Sequence, residues 1–115
     1  MIGHKTRWMV MMTVLFCASS AWAVDPAIKC QAEKLRLAAK YVACRLNAEA
    51  VAARAFSEPT FDKCASDFLA GWSKAEERAL HQGTHCWTTD DAASVKSDLD
   101  TDTGGLASWL SGAGK

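Results

Sequence analysis

The sequence predicts an all-α protein: an antiparallel helical hairpin stapled by two disulfides, with a third, C-terminal helix packed across it. Three observations lead there. Residues 26–56 are rich in Ala, Leu, Lys, Arg and Glu and contain no Gly or Pro after Pro26. Apolar residues recur at helical spacing through two long segments, and nowhere do they alternate as in a strand. Four cysteines, Cys30, Cys44, Cys64 and Cys86, lie at positions where two facing helices could be joined.

The first 23 residues stand apart from this pattern. Lys5 and Arg7 precede an apolar run from Trp8 to Phe16, and Ala21, Trp22, Ala23 form a small-residue A-x-A site. These are the three parts of a secretory signal peptide, with cleavage expected after Ala23. The apolar run is shorter than the ~20 residues of a spanning helix. Bulky Phe16 before Cys17 argues against lipid attachment at that cysteine. The expected organisation is a signal peptide at 1–23 and one helical domain at 24–115, with no membrane insertion after cleavage.

The first helix is expected from Pro26 to Phe56. Asp25 supplies the cap, and Pro26 suits the first helical position because its missing N–H would be unpaired there anyway. At 100° per residue, Cys30, Leu37, Tyr41, Cys44, Ala48, Val51 and Ala55 share one stripe, and Ile28, Leu35, Val42, Leu46 and Ala53 form a second beside it. So broad an apolar face predicts two packing neighbours. Ser57–Thr60, reading SEPT, breaks the pattern with a proline and capping hydroxyls.

The second helix follows to about Leu80. Its buried face is expected to be Phe61, Cys64, Ala65, Phe68, Leu69, Trp72, Ala75 and Ala79, with Asp62, Lys63, Asp67, Lys74, Glu77 and Arg78 outside. Gly83 is the natural stop. Thr89 or Asp90 can cap a third helix carrying Ala92, Val95 and Leu99, and the pattern resumes at Leu106, Trp109 and Leu110 beyond Gly104 and Gly105. A weak or broken middle is expected at those glycines.

Helix geometry decides the cysteine pairing. Cys30 and Cys44 are 14 positions apart, roughly 21 Å along a helix, whereas a disulfide needs Cα atoms within about 7 Å. That removes Cys30–Cys44 and its companion Cys64–Cys86. Crossed pairing would need parallel helices, which a four-residue link cannot connect. Nested pairing, Cys44 with Cys64 and Cys30 with Cys86, fits an antiparallel hairpin. It carries one strain: the first helix runs about 18 Å past Cys44 while Cys64 lies about 6 Å into the second, so the link must fold back over roughly 12 Å or the first helix must end early.

Composition excludes several functions. Without Lys5 and Arg7, eleven basic residues face thirteen acidic ones, which gives no electrostatic case for nucleic acid or an anionic membrane. No C-x-x-C occurs, so redox exchange and c-type haem attachment lack their signals. His81 and His85 are four apart beside Cys86, a metal-like spacing, but Gly83 intervenes and Cys86 is assigned to a disulfide. Asp98, Asp100 and Asp102 resemble a calcium loop, yet its sixth position would be Thr103 and its twelfth Trp109, where Gly and Glu are needed, so a solvated acidic face on a weak helix is expected instead.

No nucleophile, base and orienting acid form a recognisable set, and three short helices leave little room for a cleft. The expectation is therefore a non-enzymatic structural or partner-binding module without a cofactor or metal. Trp72 is expected in the core; Trp87 and Trp109 either close the core or stand exposed, and they are the candidate contacts for a protein partner. The alternative is a small-ligand or metal carrier using His81, His85 and the Asp98–Asp102 acids.

The segments VDPAIKCQAEKLRLAAKYVACRLNAEAVA, FDKCASDFLAGWSKAE and CWTTDDAASV also resemble a family of small exported four-cysteine helical proteins of proteobacteria, abundant in myxobacterial lineages. The shared pattern is a DPA-K-C opening, a Lys-Tyr-x-x-Cys-Arg-Leu centre, a Lys-Cys in the second helix, and a fourth Cys followed by Thr and acids. It spans Asp25 to about Val95, with Cys30, Tyr41, Cys44, Arg45, Leu46, Cys64, Trp72 and Cys86 at pattern positions. The family has no assigned activity, so the resemblance implies export and two disulfides and nothing about chemistry.

Overall fold

A computed structural model describes residues 25–112. The expected signal peptide, 1–23, lies outside them. Three helices make up the described chain: α1 (Pro26–Ala55), α2 (Asp62–His81) and α3 (Ala92–Leu110). Among the described residues no helix is long and apolar enough to cross a membrane.

α1 starts as its sequence demands, with Pro26 in the first turn and the Asp25 carboxylate accepting a 2.8 Å hydrogen bond from the Ala27 N–H. It ends in a left-handed residue, Phe56, with φ 51° and ψ 44°. The Phe56 N–H then donates to the Ala53 carbonyl and the Ser57 N–H to the Ala52 carbonyl, which closes the last turn. α2 ends the same way one turn past its apolar face. There Gly83, φ 77°, takes the left-handed position, while Gly83 and Thr84 donate to the carbonyls of Leu80 and Ala79.

Both disulfides form as the nested pair. Cα atoms are 5.5 Å apart for Cys30–Cys86 and 5.8 Å apart for Cys44–Cys64. Since α1 keeps its full length, the link after Phe56 is what folds back. α1 and α2 are therefore antiparallel and make the most extensive helix contact.

The core divides between the two rungs. Cys30, Ala75, Ala79 and Cys86 fill one end with small side chains. Tyr41, Cys64, Phe68 and Trp72 fill the centre, with Leu37, Ala92, Val95 and Leu99 packed against them. Tyr41, Phe68 and Trp72 stack in sequence, each pair of ring centroids 5.0 Å apart. Gly71 lies against Leu37 here: a Cβ at that position would be 2.6 Å from Leu37 Cδ2, so that side chain would have to shift. Burying the expected α2 face supplies most of this core; Leu69, expected inside, is exposed.

α3 runs alongside α1 in the same direction. Asp91, at its start, meets Lys34, and Asp100, nine residues on, meets Tyr41 and Arg45. The rise is roughly 14 Å on one helix and 11 to 16 Å on the other, as nearly parallel axes require.

Three expectations are corrected. α3 is continuous through Gly104 and Gly105, because neither adopts a positive φ and Thr103 in that turn is buried, its hydroxyl donating to the Leu99 carbonyl at 2.7 Å. Its N-cap is Asp91 and not Thr89 or Asp90, and the Asp91 side chain makes no cap bond since other donors occupy it. The second stripe of α1 is only partly covered: Ile28 and Leu35 remain exposed, for α3 seats against the Lys34–Tyr41–Arg45 side.

Candidate functional site

Where α3 meets the hairpin, two charged clusters are enclosed. In the first, Lys34 is 3 % exposed. Its ammonium donates to the Thr88 carbonyl at 2.6 Å and to Asp91 Oδ1 at 3.0 Å, lies 3.2 Å from Glu76 Oε1, and sits 4.8 Å above the Trp72 ring centroid. Asp91 also accepts from Trp72 Nε1 at 2.9 Å and, through Oδ2, from the Thr88 hydroxyl at 2.6 Å. Burial by itself would raise the Asp91 pKa. The hydrogen bonds from Thr88, Trp72 and Lys34, with the Lys34 charge, outweigh it and hold the carboxyl at about 2.

In the second cluster the Asp100 carboxylate accepts from the Tyr41 hydroxyl, from Arg45 and, at 2.8 Å, from Lys96. Burial works against its ionised form, but bonds from Lys96, Tyr41 and Arg45 prevail and its pKa is lowered. The Lys96 pKa is correspondingly raised, chiefly by its hydrogen bond to Asp100. The Arg45 guanidinium stacks 3.9 Å from the Phe61 ring centroid, and its buried Nε has no hydrogen-bond partner among the described residues.

These clusters hold α3 in place. Each carboxylate accepts three hydrogen bonds from cations and donors of the chain itself. Sequence reasoning placed Asp100 on a solvated acidic face and gave Lys34 no part. A signal was present: Lys34 lies four residues after Cys30 and seven before Tyr41, on the core stripe of α1.

The predicted site residues fall in three places. The four cysteines form the two rungs. His81 and His85, both exposed, lie at the α2–α3 turn beside the Cys30–Cys86 rung, whereas Asp98 to Asp102 lie in α3 level with Tyr41 and Arg45, roughly 16 Å or more along α1. The histidines and acids are thus not brought together, and among the described residues no three His, Cys, Asp or Glu side chains converge on a metal position. Trp72 is in the core, while Trp87 is 66 % and Trp109 63 % exposed. Trp87 follows the outer rung, and Trp109 lies nine residues beyond Asp100, so they occupy opposite ends of the bundle.

An open groove of about 380 Å³ runs between α1 and α2 over the Cys44–Cys64 rung, rimmed by Lys40 and Asp67. Its floor, Tyr41 and Phe68, is nearly covered by the chain itself and offers a ligand little surface. No family model matches the chain, and no curated protein or solved structure matches it at a significant level.

Proposed function

We propose that this is an exported, non-enzymatic module of the cell envelope or extracellular space that works by holding a protein partner, with Trp87 and Trp109 as its contact residues. The observation that carries the reading is their exposure: two large aromatic side chains stand in solvent at opposite ends of a frame that is cross-linked twice. Tryptophan is among the side chains that contribute most when an interface closes over them. The disulfides suit an oxidising compartment outside the cytosol. The resemblance to exported four-cysteine helical proteins of proteobacteria supports the same setting.

The test is capture of a partner from an envelope extract by the immobilised oxidised protein, repeated with Trp87→Ala and Trp109→Ala. Loss of the captured protein with either variant supports the proposal; capture unaffected by both rejects these residues as contacts. A metal ion retained in native mass spectrometry would instead favour a carrier using His81, His85 and the Asp98–Asp102 acids.

A further inference from the structure

The near-neutral total charge conceals a separation of sign. α1 carries six basic residues against two acids, a surplus of four positive charges. Residues 56–112 carry four bases against ten acids, a surplus of six negative charges. Averaged over the chain, charge gives no attraction to an anionic surface; resolved helix by helix, it does.

Lys34 and Arg45 are enclosed against α3, so α1 shows Lys29, Arg36, Lys40 and Arg54 to solvent. All four are exposed, and none is in an ion pair among the described residues. Of the two acids, Glu33 is taken up by Arg78. At 100° per residue the four cations lie about 80–120° to one side of Ile28, whereas Leu35, Val42 and Leu46 lie within about 40° of it and Glu49 about 60° to the other side. Ile28 is 46 % and Leu35 63 % exposed, while Val42 and Leu46 are half-buried. Exposed Ala32, Ala39, Ala50 and Ala53 continue the same strip. α2 and α3 occupy the rest of the helix. An apolar strip bordered by unpaired cations therefore runs along a 30-residue helix, roughly 45 Å, and neither neighbour covers it.

We propose that this face of α1 seats the protein on an anionic lipid surface. Ile28 and Leu35 enter the boundary between headgroups and acyl chains, and Lys29, Arg36, Lys40 and Arg54 meet lipid phosphates. A helix lying in an interface needs an apolar strip with cations at its margin, where long side chains reach the headgroups. The strip and the charge row together select the occupant: a nucleic acid would leave the aliphatic side chains unpaired, and an uncharged bilayer would leave the cations so. Protein interfaces are anchored by side chains that fill pockets, and the grooves along the α1–α2 seam lie away from this strip. α1 lies on the surface and spans nothing. The inference is independent of the roles proposed for Trp87 and Trp109.

Vesicle co-sedimentation of the oxidised protein tests it. Vesicles of about 30 % phosphatidylglycerol in phosphatidylcholine, at up to about 1 mM lipid and low salt, should carry the protein down, and pure phosphatidylcholine should not. About 0.5 M NaCl should release it. Lys29→Gln combined with Arg36→Gln should weaken binding roughly 25-fold, and Leu35→Ala about tenfold. Both variants should melt close to wild type, because the replaced side chains are exposed. Lys74→Gln, on α2, should bind as wild type does. A wild type that stays in solution with the anionic vesicles overturns the proposal, as does equal binding to neutral ones. Binding that ignores Leu35→Ala overturns the lipid seat in favour of a charge-only contact with an acidic protein. A loss with Lys74→Gln as large as that with the Lys29 and Arg36 pair overturns the assignment to α1.

Discussion

Lys34 Nζ and Asp91 Oδ1, 57 positions apart in the chain, meet at 3.0 Å and join the start of α3 to the first third of α1. Their surroundings differ: the Lys34 side chain is 3 % exposed and the Asp91 side chain 24 %. The cost of losing one partner depends on how buried the survivor is.

Asp91→Ala leaves a buried ammonium with only Glu76 and the Thr88 carbonyl, and it strips the Trp72 N–H of its acceptor. The expected loss is about 3 kcal/mol or more, as for breaking a buried pair from the acidic side. Lys34→Met leaves Asp91 still bonded to Trp72 and Thr88 and should cost about 1 kcal/mol. Urea unfolding of the two variants checks the order; equal losses would show that the burial difference is not what matters.

Acid should expose the same bond. The Asp91 pKa is lowered from 3.8 to about 2, so the folded form binds its proton less readily than the unfolded chain. That stability is fully present above pH 4 and is lost as the pH falls through about 2, an effect of about 2 kcal/mol. Asp100, lowered as well, adds loss in the same direction. Denaturant titrations between pH 5 and 2 should show a shallower decline for Asp91→Ala than for wild type.

Removing the rungs separately should rank them by loop length. Cys30–Cys86 spans 56 residues and Cys44–Cys64 spans 20. In the chain-entropy account the double alanine variants lose about 4 and about 3 kcal/mol. Peptide mapping under non-reducing conditions should recover only these two linkages, and chemical denaturation should give the larger loss for the outer pair.

Gly105 sits inside α3 with nothing within 4 Å of where a Cβ would be. Gly105→Ala should therefore stabilise the protein by about 1 kcal/mol, the propensity difference in a helix interior. A thermal melt that falls on substitution would mean that this glycine is retained for a contact or motion outside the described fold.

The backbone arrangement was largely legible. A long segment without helix breakers, a Pro–Thr interruption, Gly83 and the impossibility of bridging Cys30 to Cys44 lead to an antiparallel hairpin by local rules and one distance limit. The α3 path was less legible because Gly104 and Gly105 weaken it locally, and what keeps it helical, the burial of Thr103 and the packing of Val95 and Leu99, depends on residues far away in the chain. The charged clusters were missed for a related reason: Asp98, Asp100 and Asp102 look alike in sequence, and only the approach of Tyr41 and Arg45 turns the middle one inward.

Local chemistry by itself thus determined which segments are helical, where two of them stop and which cysteines can meet, since these depend on nearest neighbours along the chain and on the 1.5 Å rise of a helix. Tertiary structure alone decided which charges are enclosed. Burial is a property of surfaces brought together from distant parts of the chain, and a side chain's worth to the fold or to a partner depends on what ends up next to it.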